Sequence, residues 1–101
     1  EVASEFVLFD VRMDNKPFQA QHLDYFNKYA LKLPLVRIQN GWAPNVHPDT
    51  KILVFCGSGN NAMRALRHLR AHGYRNSRAM AVNALRPAEM ADMPAPLSPT
   101  G

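Results

Sequence analysis

Lys51-Ile52-Leu53-Val54-Phe55-Cys56-Gly57-Ser58-Gly59-Asn60-Asn61-Ala62 is the stretch on which the reading of this chain turns. Ile52 to Phe55 are apolar without interruption, which suits a strand buried on both faces, as in a parallel sheet. Gly57-Ser58-Gly59-Asn60 does not readily extend that strand. Asn61 to His72 then reads as a helix. Ala62, Ala65, Leu66 and Leu69 form its apolar stripe, and Gly73 closes it as a residue suited to the left-handed region. Cys56 thus stands at a strand-to-helix turn.

A thiol at such a turn faces the amino end of the next helix. The unpaired N–H groups and the dipole there favour an anion, and hence the thiolate over the thiol. Gly57 and Gly59 allow the backbone to curl so that successive N–H groups point inward. The same cradle suits a thiolate, a persulfide or a substrate oxyanion. A lone cysteine after four apolar residues is otherwise often a small buried hydrophobe. The two glycines and the immediate helix start favour a reactive Cys56, with Gly57, Ser58, Gly59, Asn60 and Asn61 as the cradle. Arg64 and Arg67 add positive charge nearby. Neither a GxxxxGK[ST] loop nor a GxGxxG fingerprint is present, so nucleotide binding is not indicated.

Working outward, Phe6-Val7-Leu8-Phe9 reads as a buried strand ending in Asp10-Val11-Arg12. Phe18, His22, Tyr25, Phe26 and Tyr29 fall at helical spacings, which predicts a helix from Pro17 to about Ala30, capped by Asp14 or Asn15. Leu35-Val36-Arg37-Ile38 reads as a second strand. Asn40 to Pro44 reads as a loop and His47 to Thr50 as a turn. Arg78 to Val82 reads as a last strand. The tail from Met93 carries Pro94, Pro96 and Pro99 and is expected to be irregular and flexible. Strands alternating with helices imply a single α/β domain over residues 1–92, a mostly parallel central sheet flanked by helices, followed by the tail 93–101. Ligands bind such sheets beyond the carboxyl ends of the strands, where both Asp10 and Cys56 stand.

The chain has 101 residues, a formal charge of +4 and 47 % hydrophobic residues. That length fits one domain, and that composition excludes disorder of the whole chain. No apolar run approaches the roughly 20 residues that span a bilayer, so no membrane partner is expected. The sequence contains one cysteine, which excludes an internal disulfide and a multi-cysteine zinc site. The basic balance favours anionic partners, although a merely soluble basic surface is the simpler reading. The cytoplasm is the favoured compartment, or the periplasm if an export signal has been removed.

Lys51 to Asn60, followed by a helix and Ala71-His72-Gly73-Tyr74-Arg75-Asn76, resembles the rhodanese family. Asp10-Val11-Arg12 is similar to that family's early Asp-Val-Arg segment. Phe18 to Leu23 is similar to the stretch after it, with His22 as the matching histidine. The resemblance implies a parallel five-stranded α/β domain whose cysteine takes a sulfane sulfur from a donor such as thiosulfate and passes it to cyanide, a thiol or a protein acceptor. By motif position Cys56 is then the nucleophile, and the loop Gly57 to Asn61 donates backbone N–H groups. Asp10 and Arg12 support the site, or form a structural ion pair at the strand end. No cofactor or metal is implied. The loop departs from the family pattern at Gly57 and Asn61, where arginines are common, and at Ala62, where serine is. Fixed guanidinium donors for an anionic substrate are thereby lost. Weak thiosulfate activity, a different donor, or a non-catalytic binding module are the corresponding expectations.

The remaining candidates have plainer readings. His47, His68 and His72 do not form a convincing metal set. Trp42 suits a core or loop anchor. The series Arg64, Arg67, Arg70, Arg75 and Arg78 suits a solvated face rather than a nucleic-acid interface, since no aromatic platform accompanies it. A cysteine phosphatase would place arginine where Ala62 stands. A phosphocysteine carrier would place its cysteine early in the chain.

Overall fold

Two core strands explain why the chain folds as it does. In the computed structural model, which describes residues 5–14 and 16–97, β1 runs over Phe6–Asp10 and β3 over Lys51–Cys56. All five residues of β1 are buried, as an uninterrupted apolar run demands in the middle of a parallel sheet. The short strand β2, Leu31–Lys32, pairs with the far edge of β1, and β4, Ser77–Ala81, pairs with β3. Every pairing is parallel, and the order is β2-β1-β3-β4. Among the described residues the sheet thus has four strands rather than five.

The period of two along each strand sorts the core into two layers. Val7 and Phe9 of β1 and Ile52, Val54 and Cys56 of β3 face one layer, which is covered by two helices, α2 (Leu35–Gln39) and α3 (Asn60–Ala71). Phe6, Leu8 and Phe55 face the other, where Phe26 of α1 (Asp24–Tyr29) packs 4.7 Å from Phe55 between ring centroids. Fully burying each such side chain stabilises the fold by roughly 1.5–3 kcal/mol. Cys56 therefore lies on the face that α3 covers. On α3 the predicted stripe is realised: Ala62, Ala65, Leu66 and Leu69 are all buried. Gly73 has φ +94°, and the N–H groups of Gly73 and Tyr74 close the helix end on the carbonyls of Arg70 and Leu69.

Three readings of the sequence need correction. Leu35 to Ile38 is helix, not strand. Leu35 and Ile38 are buried three residues apart while Val36 is 44 % exposed, which is helical spacing rather than alternation. The strand falls earlier, where Leu31 pairs with Phe9 and Lys32 with Asp10. The helix expected from Pro17 to Ala30 is reduced to a 3₁₀ turn at Gln21–Leu23 and the six residues of α1. Asn27 explains this. Its side chain accepts from the Phe18 N–H at 2.7 Å and donates to the Phe18 carbonyl at 3.0 Å, which holds Phe18 in an extended segment alongside α1. Asp14 accepts from the Lys16 N–H in a local turn; Asn15, the other cap candidate, lies outside the described residues. Finally, the last strand is Ser77–Ala81, and Val82 opens a 3₁₀ turn, Val82–Ala84. From Pro94 to Leu97, the last described residues, there is no helix or strand, but the Leu97 N–H donates to the Phe6 carbonyl at 2.7 Å and the Tyr25 hydroxyl to that of Pro94. Among the described residues no helix is long and apolar enough to cross a membrane.

Candidate functional site

Cys56 is the last residue of β3, and its Cα is in register with that of Ala81 in β4. Its sulfur accepts two backbone hydrogen bonds, from the Gly59 N–H at 3.0 Å and from the Ala62 N–H at 3.4 Å. Both donors come from the turn into α3. The Ala62 N–H is one of the four at a helix start with no partner inside the helix. The thiol belongs to the apolar layer under α3 and is only 4 % exposed, yet it is not sealed among aliphatic groups alone. Two backbone N–H groups at the amino end of a helix thus converge on one sulfur atom.

The geometry of the turn depends on Gly59. It is the N-cap of α3 and has φ +97°, a conformation that side chains disfavour. A Cβ there would also stand 3.2 Å from the Ala81 Cβ. Of the five residues expected to form the cradle, Gly59 alone donates to the sulfur, and the second donor is Ala62, one residue beyond them. The Asn60 N–H goes instead to Ser58 Oγ at 3.4 Å. Asn61 is half-buried in the first turn of α3. Arg64 is exposed on α3 and has no hydrogen bond or ion pair among the described residues. Gly57 serves a different purpose. Its carbonyl accepts the Asn83 N–H at 3.0 Å, and a Cβ on Gly57 would lie 3.2 Å from Asn83 Nδ2.

Asp10 and Arg12 direct their polar atoms at each other. Arg12 donates from its backbone N–H to Asp10 Oδ1 at 3.0 Å, and from Nε and Nη2 to the carboxylate at 3.0 and 2.8 Å. The guanidinium also lies 3.9 Å over the Phe18 ring, and Lys32 Nζ is 4.0 Å from the Asp10 carboxylate. This is a structural clamp on the end of β1. It braces the strand whose Asp10 is in register with Phe55, the residue before Cys56. His22 Nε2 lies 3.2 Å from the Leu85 carbonyl oxygen, and Trp42 packs edge-on against Phe9. Among the described residues no group of three or more His, Cys, Asp or Glu could hold a metal.

An open depression of about 300 Å³ adjoins the loop, lined by Ser58, Gly59, Asn60, Met63, Ala79, Met80 and Ala81. A larger one, about 440 Å³, is lined by Phe6, Lys51, Ile52, Asn76 and their neighbours. It lies at the opposite, amino-terminal end of the strands, away from Cys56. The smaller one lies beside the loop that follows the only thiol in the sequence.

Residues 2–82, which include this strand, cysteine, loop and helix, match the model of the rhodanese-like domain. The chain belongs to the rhodanese-like domain family. Solved structures agree in fold. A rhodanese homolog from the extremely thermophilic bacterium Thermus thermophilus is 25 % identical, with a TM-score of 0.53 over 75 % of this chain and 76 % of that one. Human single-domain sulfurtransferase TSTD1 is 19 % identical, with a TM-score of 0.55 over 86 % and 83 %. An NAD-dependent persulfide reductase from A. fulgidus gives a TM-score of 0.57 at 18 % identity; the match covers 80 % of this chain but 13 % of the larger one. No curated protein matches the chain. The sequence did not reveal that Asn83 stands beside Gly57, because that contact depends on the pairing of β3 with β4.

Proposed function

We propose that this rhodanese-like domain is a sulfurtransferase that carries a sulfane sulfur as a persulfide on Cys56. The carrying observation is the pair of N–H groups, from Gly59 and Ala62, aimed at the cysteine sulfur. In the first step the Cys56 thiolate attacks the outer sulfur of the donor. The S–S bond to the leaving group breaks, and that group departs with the bonding pair, as sulfite from thiosulfate or as a thiolate from an alkyl persulfide. In the second step a thiol or cyanide attacks the outer sulfur, and the Cys56 thiolate is released. Sulfur moves as a formally neutral atom in both steps, so no external oxidant or reductant is consumed. The loop N–H groups stabilise the thiolate as attacking and as leaving group. The partners on this reading are a small anionic sulfur donor, or a protein that donates or accepts the sulfur.

The 4 % exposure of Cys56, together with a loop free of cations, favours a second reading, a binding module in which the thiol does no chemistry. Steady-state transfer from thiosulfate or a hydropersulfide to cyanide separates the two. Sulfur transfer that is present in the wild type and absent in Cys56→Ser supports the first reading. No transfer by reduced wild-type protein with either donor supports the second.

A further inference from the structure

The loop after Cys56 carries no arginine or lysine through Met63; its side chains are Ser58, Asn60 and Asn61, all neutral. One further polar group adjoins it. Asn83 sits in the Val82–Ala84 turn just past β4, and its backbone N–H holds the Gly57 carbonyl at 3.0 Å. Its carboxamide rests against Gly57, with Nδ2 3.2 Å from where a Cβ on that residue would be. The residue is exposed, and among the described residues its carboxamide has no hydrogen-bond partner. Two amide N–H donors thus stand unpartnered beside the residue that follows Cys56.

We propose that Asn83 is a specificity-determining residue which meets the charged end of the sulfur donor and sets the site for a small alkyl hydropersulfide rather than for dianionic thiosulfate. The inference rests on the reading of Cys56 as a sulfur carrier and names its donor class. Desolvating two negative charges without a fixed cation is costly, whereas one charge is met by neutral N–H donors. Cys56 is 4 % exposed, so the end that reaches its sulfur must be slim. The step is the first one above, with an alkyl thiolate as leaving group.

A charge series at this position tests the idea: Asn83→Asp, wild type and Asn83→Arg, each assayed for kcat/KM with cysteine hydropersulfide and with thiosulfate. The backbone bond from residue 83 to Gly57 survives all three side chains, so a purely structural effect changes both donors alike. The wild type is expected to prefer the hydropersulfide. Asn83→Arg is expected to raise thiosulfate kcat/KM about tenfold relative to hydropersulfide, the size of one charge-assisted hydrogen bond, and Asn83→Asp to shift the ratio the other way. A wild-type preference for thiosulfate, or a ratio that stays within about twofold across the series, overturns this inference alone. Absence of transfer from both donors in the wild type overturns the sulfurtransferase reading and this inference with it.

Discussion

Gly59 concentrates the demands of the site in one residue. Its φ of +97° turns the chain so that its N–H meets Cys56 Sγ at 3.0 Å, and its missing Cβ leaves room for Ala81. Gly59→Ala meets both obstacles at once: the left-handed conformation and a Cβ–Cβ approach of 3.2 Å. Stability is expected to fall by about 1–2 kcal/mol, read as a lower urea midpoint, and the rate at which Cys56 takes up sulfur is expected to fall with it. An unchanged midpoint and rate would remove Gly59 from the account. The sequence made both glycines legible as places where a backbone must curl, but assigned them one shared task. Gly57 instead makes room for Asn83, and a residue so far along the chain becomes its neighbour only when β4 has paired with β3.

At the level of elements, the signal was clear where one periodicity ran long enough. The stripe of α3 and the apolar runs of β1 and β3 were readable because burial on one or both faces dictates them. Short elements were not. Leu35 to Ile38 fits a strand by composition and a helix by spacing, and only packing of α2 against α3 decides between them. The start of α1 was misplaced because Asn27 offers Phe18 the two hydrogen bonds that a helix would otherwise supply. α1 also carries a testable titration. The Tyr25 hydroxyl donates to the Pro94 carbonyl, and burial first, then the neighbouring Tyr29, raises its pKa above 10.0. The neutral phenol is thus favoured by folding. Its contribution is complete below pH about 10, the unfolded value, and is lost as pH rises from there through the folded value. Urea unfolding across that range is expected to show wild-type stability falling more steeply than that of Tyr25→Phe. Parallel curves for the two proteins would contradict it.

On the scale of the whole molecule, the sheet order puts β3 between β1 and β4, so the loop after Cys56 emerges with a neighbour on each side. The Asp10–Arg12 clamp ends one neighbouring strand and the Val82–Ala84 turn follows the other. A parallel sheet brings all of these to the carboxyl ends of the strands, which is where an α/β fold places its chemistry. That location was readable from the residues because each buried run ends in a polar turn. Asp10 and Arg12 were readable beside it, but the Val82–Ala84 turn was not, since strand order decides it, and the same order leaves the larger depression, lined by Phe6 and Ile52, at the other end. The central claim is that one sulfur atom comes to rest on Cys56. Mass mapping of reduced protein treated with cysteine hydropersulfide, freed of excess donor and capped by alkylation, tests it most directly. The expected result is a single added sulfur on the peptide containing Cys56, removed by a thiol acceptor; a peptide that keeps its original mass after treatment with hydropersulfide and with thiosulfate would contradict it.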